Sequence, residues 1–107
     1  MRSFTGPFDA EISQMIEYLR KGALIIDVRT HLEFERNCIA GSKNIPLHTI
    51  GSQMNDIVNL RKPLILCCAS GIRSGQAAIF LQRNGIDCIN GGSWNNVAQA
   101  IGRPIES

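Results

Sequence analysis

Apolar and polar positions divide the chain into alternating helical and extended segments. After Asp9, which stands where a helix N-cap belongs, Ile12, Met15, Ile16 and Leu19 recur at i, i+3, i+4 and i+7. That is the period of an amphipathic helix. Lys21 and Gly22 close it, glycine being the usual stop. Ala23 to Val28 is apolar except for Asp27 near its carboxyl end, which predicts a buried strand. Thr30 can cap a short helix from His31 to about Arg36, residues 37–42 turn, and Lys43 to Pro46 predicts a short strand stopped by proline. Ile50, Met54, Ile57 and Val58 share a face, predicting a long helix from about Leu47 to Leu60 that Gly51 weakens in its first turn. Leu64 to Cys67, entered from Pro63, is apolar without alternation, the mark of a strand covered on both faces. The next helix carries Ala77, Phe80 and Leu81 on one stripe and ends at Asn84-Gly85. Asp87 to Asn90 is a last short strand, Gly91-Gly92 turns the chain, and Trp94, Val97, Ala98 and Ile101 form the stripe of a final helix. Residues 103–107 read as a tail.

Strands alternate with helices through connections too long for hairpins. This predicts an α/β fold, with a parallel sheet covered by helices on both faces, as one domain over residues 1–107. Working sites in such sheets lie at the carboxyl ends of the strands, where Asp27-Val28-Arg29 and Cys67-Cys68 both fall.

Composition narrows the function. The net charge is +2 with Lys and Arg scattered, so no basic run or aromatic ladder supports a nucleic-acid partner. No apolar run approaches the length of a membrane span, and the segment from Met1 to Asp9 lacks a signal-peptide core. A cytoplasmic location is therefore expected. The four cysteines, Cys38, Cys67, Cys68 and Cys88, then read as free thiols. There is no C-x-x-C pair, and His31 and His48 lack metal-ligand spacing, so neither a metal nor a cofactor is expected.

The chemistry concentrates in the loop from Cys68 to Arg73, between a strand and a helix. A helix N-terminus offers unpaired N–H groups and the positive end of a dipole, which favour an anion, here a cysteine thiolate. Cys68 is thus the candidate nucleophile. Ala69, Ser70, Gly71 and Ile72 supply backbone N–H groups, and Gly71 lets them converge. Arg73 adds a fixed cation, and Ser74 can cap the helix or hydrogen-bond the sulfur. Asp27, Arg29 and Glu33 are expected to fix this cradle from behind, and a pairing of Arg73 with one of the carboxylates reduces its pull on substrate. Strand alternation turns Cys67 away from the loop. Cys38 and Cys88 read as core or surface thiols, Cys38 being a resolving thiol if it lies near the loop. Trp94 reads as core or as a packing lid.

Cys68-Ala69-Ser70-Gly71-Ile72-Arg73-Ser74 resembles the C-x-x-G-x-R-S active loop of single-domain rhodaneses, which are sulfurtransferases. Ile25 to Thr30 with Glu33-Phe34 resembles that family's D-V-R and E-F signature. Ile39 to Pro46 resembles its I-x-G-A-x-N-I-P segment, and Asn84-Gly85 and Gly91-Gly92 match its closing turns. The chain departs from the family at Asn37-Cys38, where Gly-His is usual; this implies local repacking. The resemblance implies a three-layer sandwich around a parallel sheet of about five strands. It implies that Cys68 takes sulfane sulfur from thiosulfate or a persulfide donor and passes it to cyanide or a thiol. With Arg73 the only charge in the loop, persulfide chemistry is better supported than thiosulfate use. The same loop would serve a carrier in a sulfur relay, loaded by a partner protein. A rival register counts from Cys67, where Arg73 completes the C-x5-R loop of dual-specificity phosphatases and arsenate reductases. Leu66 in place of their histidine, and a glycine three residues after Cys68 rather than Cys67, favour the first register.

Overall fold

A computed structural model describes residues 9–107. The segment 1–8, read above as lacking a signal peptide, lies outside the described residues. The elements in order are α1 (Ile12–Arg20), β1 (Leu24–Asp27), α2 (His31–Arg36), β2 (Cys38–Ile39), β3 (Lys43–Asn44), α3 (Met54–Leu60), β4 (Leu64–Cys68), α4 (Ile72–Arg83), β5 (Cys88–Ser93), α5 (Trp94–Ile101) and β6 (Ile105–Glu106).

Among the described residues, four strands form the central sheet in the order β3-β1-β4-β5, all parallel. About five strands were expected, and four of them lie within the described residues. The remaining extended pieces, β2 and β6, pair antiparallel with each other instead, Cys38 with Glu106 and Ile39 with Ile105. Residues 103–107 are therefore not a loose tail, and residues 37–42 are not all turn.

β4 lies inside the sheet and every residue of it is buried. Its alternation feeds two cores. Leu64, Leu66 and Cys68 join Ile26, Val28 and Ile57 beneath Ala77, Ala78 and Leu81 of α4. Ile65 and Cys67 join Ile25, Met15 of α1 and Val97 and Ala98 of α5. With a period of two, adjacent cysteines face opposite layers. The three-layer α/β sandwich follows: α1 and α5 on one face, α3 and α4 on the other.

Two local readings change. Residues 47–53 form two 3-10 turns, Leu47–Thr49 and Gly51–Gln53, and the α-helix begins only at Met54. The Thr49 and Ser52 hydroxyls donate to the carbonyls of Pro46 and Thr49, three residues back, and Gly51 lowers helix propensity between them. Asp9 does not cap α1. The cap is Glu11, whose side chain makes no capping bond. The Ala10 N–H instead donates to Asn90 O at 2.6 Å, laying Asp9 against the end of β5.

β5 carries one extra residue. Asn90 stands opposite Leu66, but Cys67 stands opposite Gly92, so Gly91 is a bulge. A Cβ on Gly91 would lie 2.7 Å from Val97 Cγ2 and 3.0 Å from Ile65 Cγ2, so only glycine fits there.

Candidate active site

β4 ends at Cys68, and the chain turns through exposed Ala69 and Ser70 into α4. The N-cap of α4 is Gly71, with φ +97°, a left-handed conformation natural to glycine. No side chain caps this helix. Its free N–H groups turn onto Cys68 Sγ instead: Gly71 N at 3.0 Å and Ser74 N at 3.4 Å, joined by the Ser74 hydroxyl at 3.3 Å. Cys68 itself is fully buried.

Burial pushes the Cys68 thiol up, but the Ser74 hydroxyl and the N–H groups of Ser74, Gly71 and Ser70 outweigh it, and the net direction is down. The other three cysteines go the opposite way. Burial and the charge of Asp27 push Cys67 well up. Burial and Asp87 raise Cys88 to about 11. Burial and Glu106 raise Cys38, whose thiol sits with Ser42 on the β2 side. Cys68 is the one cysteine whose surroundings favour the anion.

Ile72 projects outward and is 71% exposed. Arg73 is committed: its Nη1 and Nη2 donate to Glu33 Oε1 and Oε2 at 2.8 and 3.1 Å. Glu33 is held down to about 2 by that pairing first and by the Thr30 N–H next. The same carboxylate completes a capping box, accepting from Thr30 N and Oγ1 while Thr30 Oγ1 accepts from Glu33 N. Glu33 thus ties the start of α2 to the start of α4.

Asp27 and Arg29 make a different set of bonds from the one expected. Arg29 Nε lies 3.0 Å from both Asp27 oxygens and Nη2 lies 2.8 Å from Oδ2. Arg29 Nη2 also donates to Asn37 O, and its guanidinium stacks 4.6 Å above the Trp94 ring. The pair is buried and joins the end of β1 to the exit of α2 and to α5, rather than holding the loop. Trp94 serves as the floor of that stack. Asn37, at the family departure, contributes its backbone carbonyl.

Asn90, read above only as the end of a strand, is part of the cradle. Its Oδ1 accepts from Ser74 Oγ at 2.7 Å and Gly92 N at 3.0 Å. Its Nδ2 donates to Gly71 O at 3.0 Å and Asp9 Oδ1 at 3.2 Å. The sequence held a signal, a polar residue ending a buried strand, but nothing local to Asn90 tied it to the loop from Cys68 to Arg73. Among the described residues, no group of three or more His, Cys, Asp or Glu is placed to hold a metal ion, and no helix is long and apolar enough to cross a membrane.

A family model described as "Rhodanese-like domain" matches residues 10–100. An uncharacterised protein of Bacillus subtilis, YqhL, is 44% identical over 63 residues, covering 59% of this chain and 49% of that protein. A sulfurtransferase of Allochromatium vinosum is 34% identical over 62 residues, covering 58% of this chain and 57% of that one. This chain therefore spans about half the length of either relative. Among solved structures, a rhodanese-like domain protein of Staphylococcus aureus superposes with a TM-score of 0.69 at 31% identity, over 90% of this chain and 95% of that chain.

Proposed function

Since the chain belongs to the rhodanese-like domain family, which includes sulfurtransferases, we propose that it moves sulfane sulfur through a persulfide on Cys68. The observation that carries this reading is the convergence of Gly71 N, Ser74 N and Ser74 Oγ on Cys68 Sγ. The Cys68 thiolate attacks the outer sulfur of a donor R–S–S–H. A new S–S bond forms, the donor S–S bond breaks, and its electron pair and proton leave as R–S–H. The N–H groups that held the thiolate then hold the persulfide anion on Cys68. An acceptor thiolate or cyanide attacks the outer sulfur, and the electron pair returns to Cys68. With thiosulfate as donor, sulfite leaves in place of the thiol.

One observation favours a relay role over turnover of free thiosulfate. The loop's cation, Arg73, is already neutralised by Glu33, which leaves little attraction for a doubly charged inorganic donor. A persulfide borne by a partner protein needs no such cation. The placement of Cys67 in the layer facing α1 and α5, with its thiol pushed up, argues against the C-x5-R register.

Intact mass after incubation with thiosulfate or a persulfide donor tests the assignment. The expected result is one added sulfur atom, retained in Cys67→Ala and lost in Cys68→Ser. The opposite pattern moves the chemistry to Cys67. Transfer from a persulfidated protein should exceed thiosulfate:cyanide turnover if the relay role holds. Location in the cytoplasm fits this thiol chemistry and is part of the proposal.

A further inference from the structure

The Ser74 hydroxyl has one proton and two takers. Cys68 Sγ lies 3.3 Å from its oxygen and Asn90 Oδ1 lies 2.7 Å away. The orientation of the Asn90 amide is not free. The Gly92 N–H can only donate, so the atom 3.0 Å from it must be Oδ1; the Gly71 carbonyl can only accept, so the atom 3.0 Å from it must be Nδ2. A flipped amide would oppose donor to donor and acceptor to acceptor. The oxygen facing Ser74 is therefore an acceptor, and it competes directly with the sulfur.

Three features fix that competitor in place. The regular register of β5 with β4 from Cys88 onward places Asn90 opposite Leu66, whose side chain faces the α4 layer. Gly75 gives it room: a Cβ there would stand 3.2 Å from Asn90 Nδ2. Asp9 Oδ1 accepts from the same nitrogen.

We propose that Asn90 is a positioning residue that sets the ionisation of Cys68 by claiming the Ser74 hydroxyl proton. With that proton on Asn90, Ser74 Oγ is free to accept the S–H of a neutral Cys68. When Cys68 ionises, the hydroxyl swings to the sulfur and Asn90 Oδ1 keeps only Gly92 N. Asn90 thereby holds a fraction of the site as resting thiol, which resists adventitious oxidation and alkylation. The other charged or titratable groups facing this region are Arg73 with Glu33, Asp27 with Arg29, Cys67, and Asp9. The variants below keep all of these residues but remove the Asn90 Nδ2 bonds to Asp9 Oδ1 and Gly71 O, and Asn90→Asp adds a carboxylate beside Asp9.

This inference rests on Cys68 being the reacting thiol, but its test does not use sulfur transfer. The rate of iodoacetamide alkylation, mapped to Cys68 by peptide mass, is followed against pH. Asn90→Leu removes the competing oxygen, so Cys68 ionises at lower pH and alkylation at pH 7 rises about threefold. Asn90→Asp offers a stronger acceptor and a negative charge, so the rate at pH 7 falls about tenfold. Adding Ser74→Ala to Asn90→Asp changes nothing further, because the hydroxyl proton is already withdrawn. A purely structural Asn90 would give slower alkylation in both single variants, and that result overturns the proposal. So does a further drop when Ser74→Ala joins Asn90→Asp. If Asn90→Leu does not fold, the Asp pair alone decides. Loss of sulfur loading at Cys68 would defeat the proposed function while leaving this titration intact.

Discussion

Two corners of the sheet repeat one plan with different occupants. At the end of β1 the chain turns into α2, and at the end of β4 it turns into α4. The N-terminus of α2 is filled by its own side chains, through the capping box of Thr30 and Glu33. The N-terminus of α4 has no capping side chain, and the sulfur of Cys68 occupies the place where a cap oxygen would sit. One corner spends its N–H groups on stability, and the other turns them onto the sulfur of Cys68. Behind the first corner lies a buried ion pair, Asp27–Arg29, whose bonds are internal to the scaffold. Glu33 belongs to both corners and is the only side chain described that bonds to each helix start.

The comparison is broken most severely at the scaffold corner. Asp27→Ala leaves Arg29 buried with its charge unpaired, so about 3–5 kcal/mol of stability should be lost. Chemical denaturation measures it; a loss under 1 kcal/mol would mean that the pair is dispensable. At the reactive corner, Gly71→Ala forces a Cβ to within 3.0 Å of Asp9 Oδ1 and 3.2 Å of Gly92 Cα in a left-handed conformation. Displacing that N–H donor should cost about 100-fold in sulfur transfer. Unchanged transfer would show that the Gly71 N–H does not carry the chemistry. Thr30→Ala should remove a cap worth about 1 kcal/mol and leave the rate of Cys68 alkylation untouched. Paired thermal melts and alkylation rates check both halves.

The smallest effect is the pH dependence of Glu33. Its carboxyl lies at about 2 in the folded chain against an ordinary 4.5, with hydrogen bonds from Arg73 the first cause. A carboxyl held lower in the folded state stabilises above its unfolded value, and that contribution is lost as pH falls toward 2. Glu33 is 37% exposed, so solvent screening keeps the contribution below about 1 kcal/mol. Glu33→Gln should therefore be less stable than the parent at pH 7, the difference closing between pH 4.5 and 2. A difference that persists at pH 2 would assign it to lost packing rather than charge.

Strand positions were legible because β1 and β4 are apolar runs, which only a buried strand or buried helix explains, and both are too short for the latter. The turn from β4 into α4 was legible because a glycine at a fixed offset from a cysteine has a geometric reason. The pairing of Arg73 with a carboxylate was foreseen in kind. What escaped was long-range. Asp9 looks like a cap in local sequence, yet β5, about eighty positions away in the chain, draws it off. Ile105 and Glu106 carry no strand pattern in two residues, and only β2 makes them one. Gly91-Gly92 after Asn90 reads as a turn, yet β5 runs on through both glycines to Ser93 by way of the bulge. The 3-10 turns at residues 47–53 were missed because apolar spacing says which face is buried and not how tightly the backbone winds.

The bulge at Gly91 acts as a phase shifter. Up to Asn90, β5 keeps step with β4; beyond Gly91 it runs one residue late, so Ser93 stands beside Cys68 where Gly92 otherwise would. Ser93 then caps α5. Removing that single glycine would leave Gly92 opposite Cys67 and Ser93 opposite Cys68 in an unbroken ladder, so the pairing would survive and the local bend of the bulge would be lost. Substitution elsewhere in β5 tunes contacts one at a time. A one-residue deletion here would instead straighten the strand between Asn90 and Ser93, so the bulge sets the angle at which β5 hands the chain from the cradle to α5.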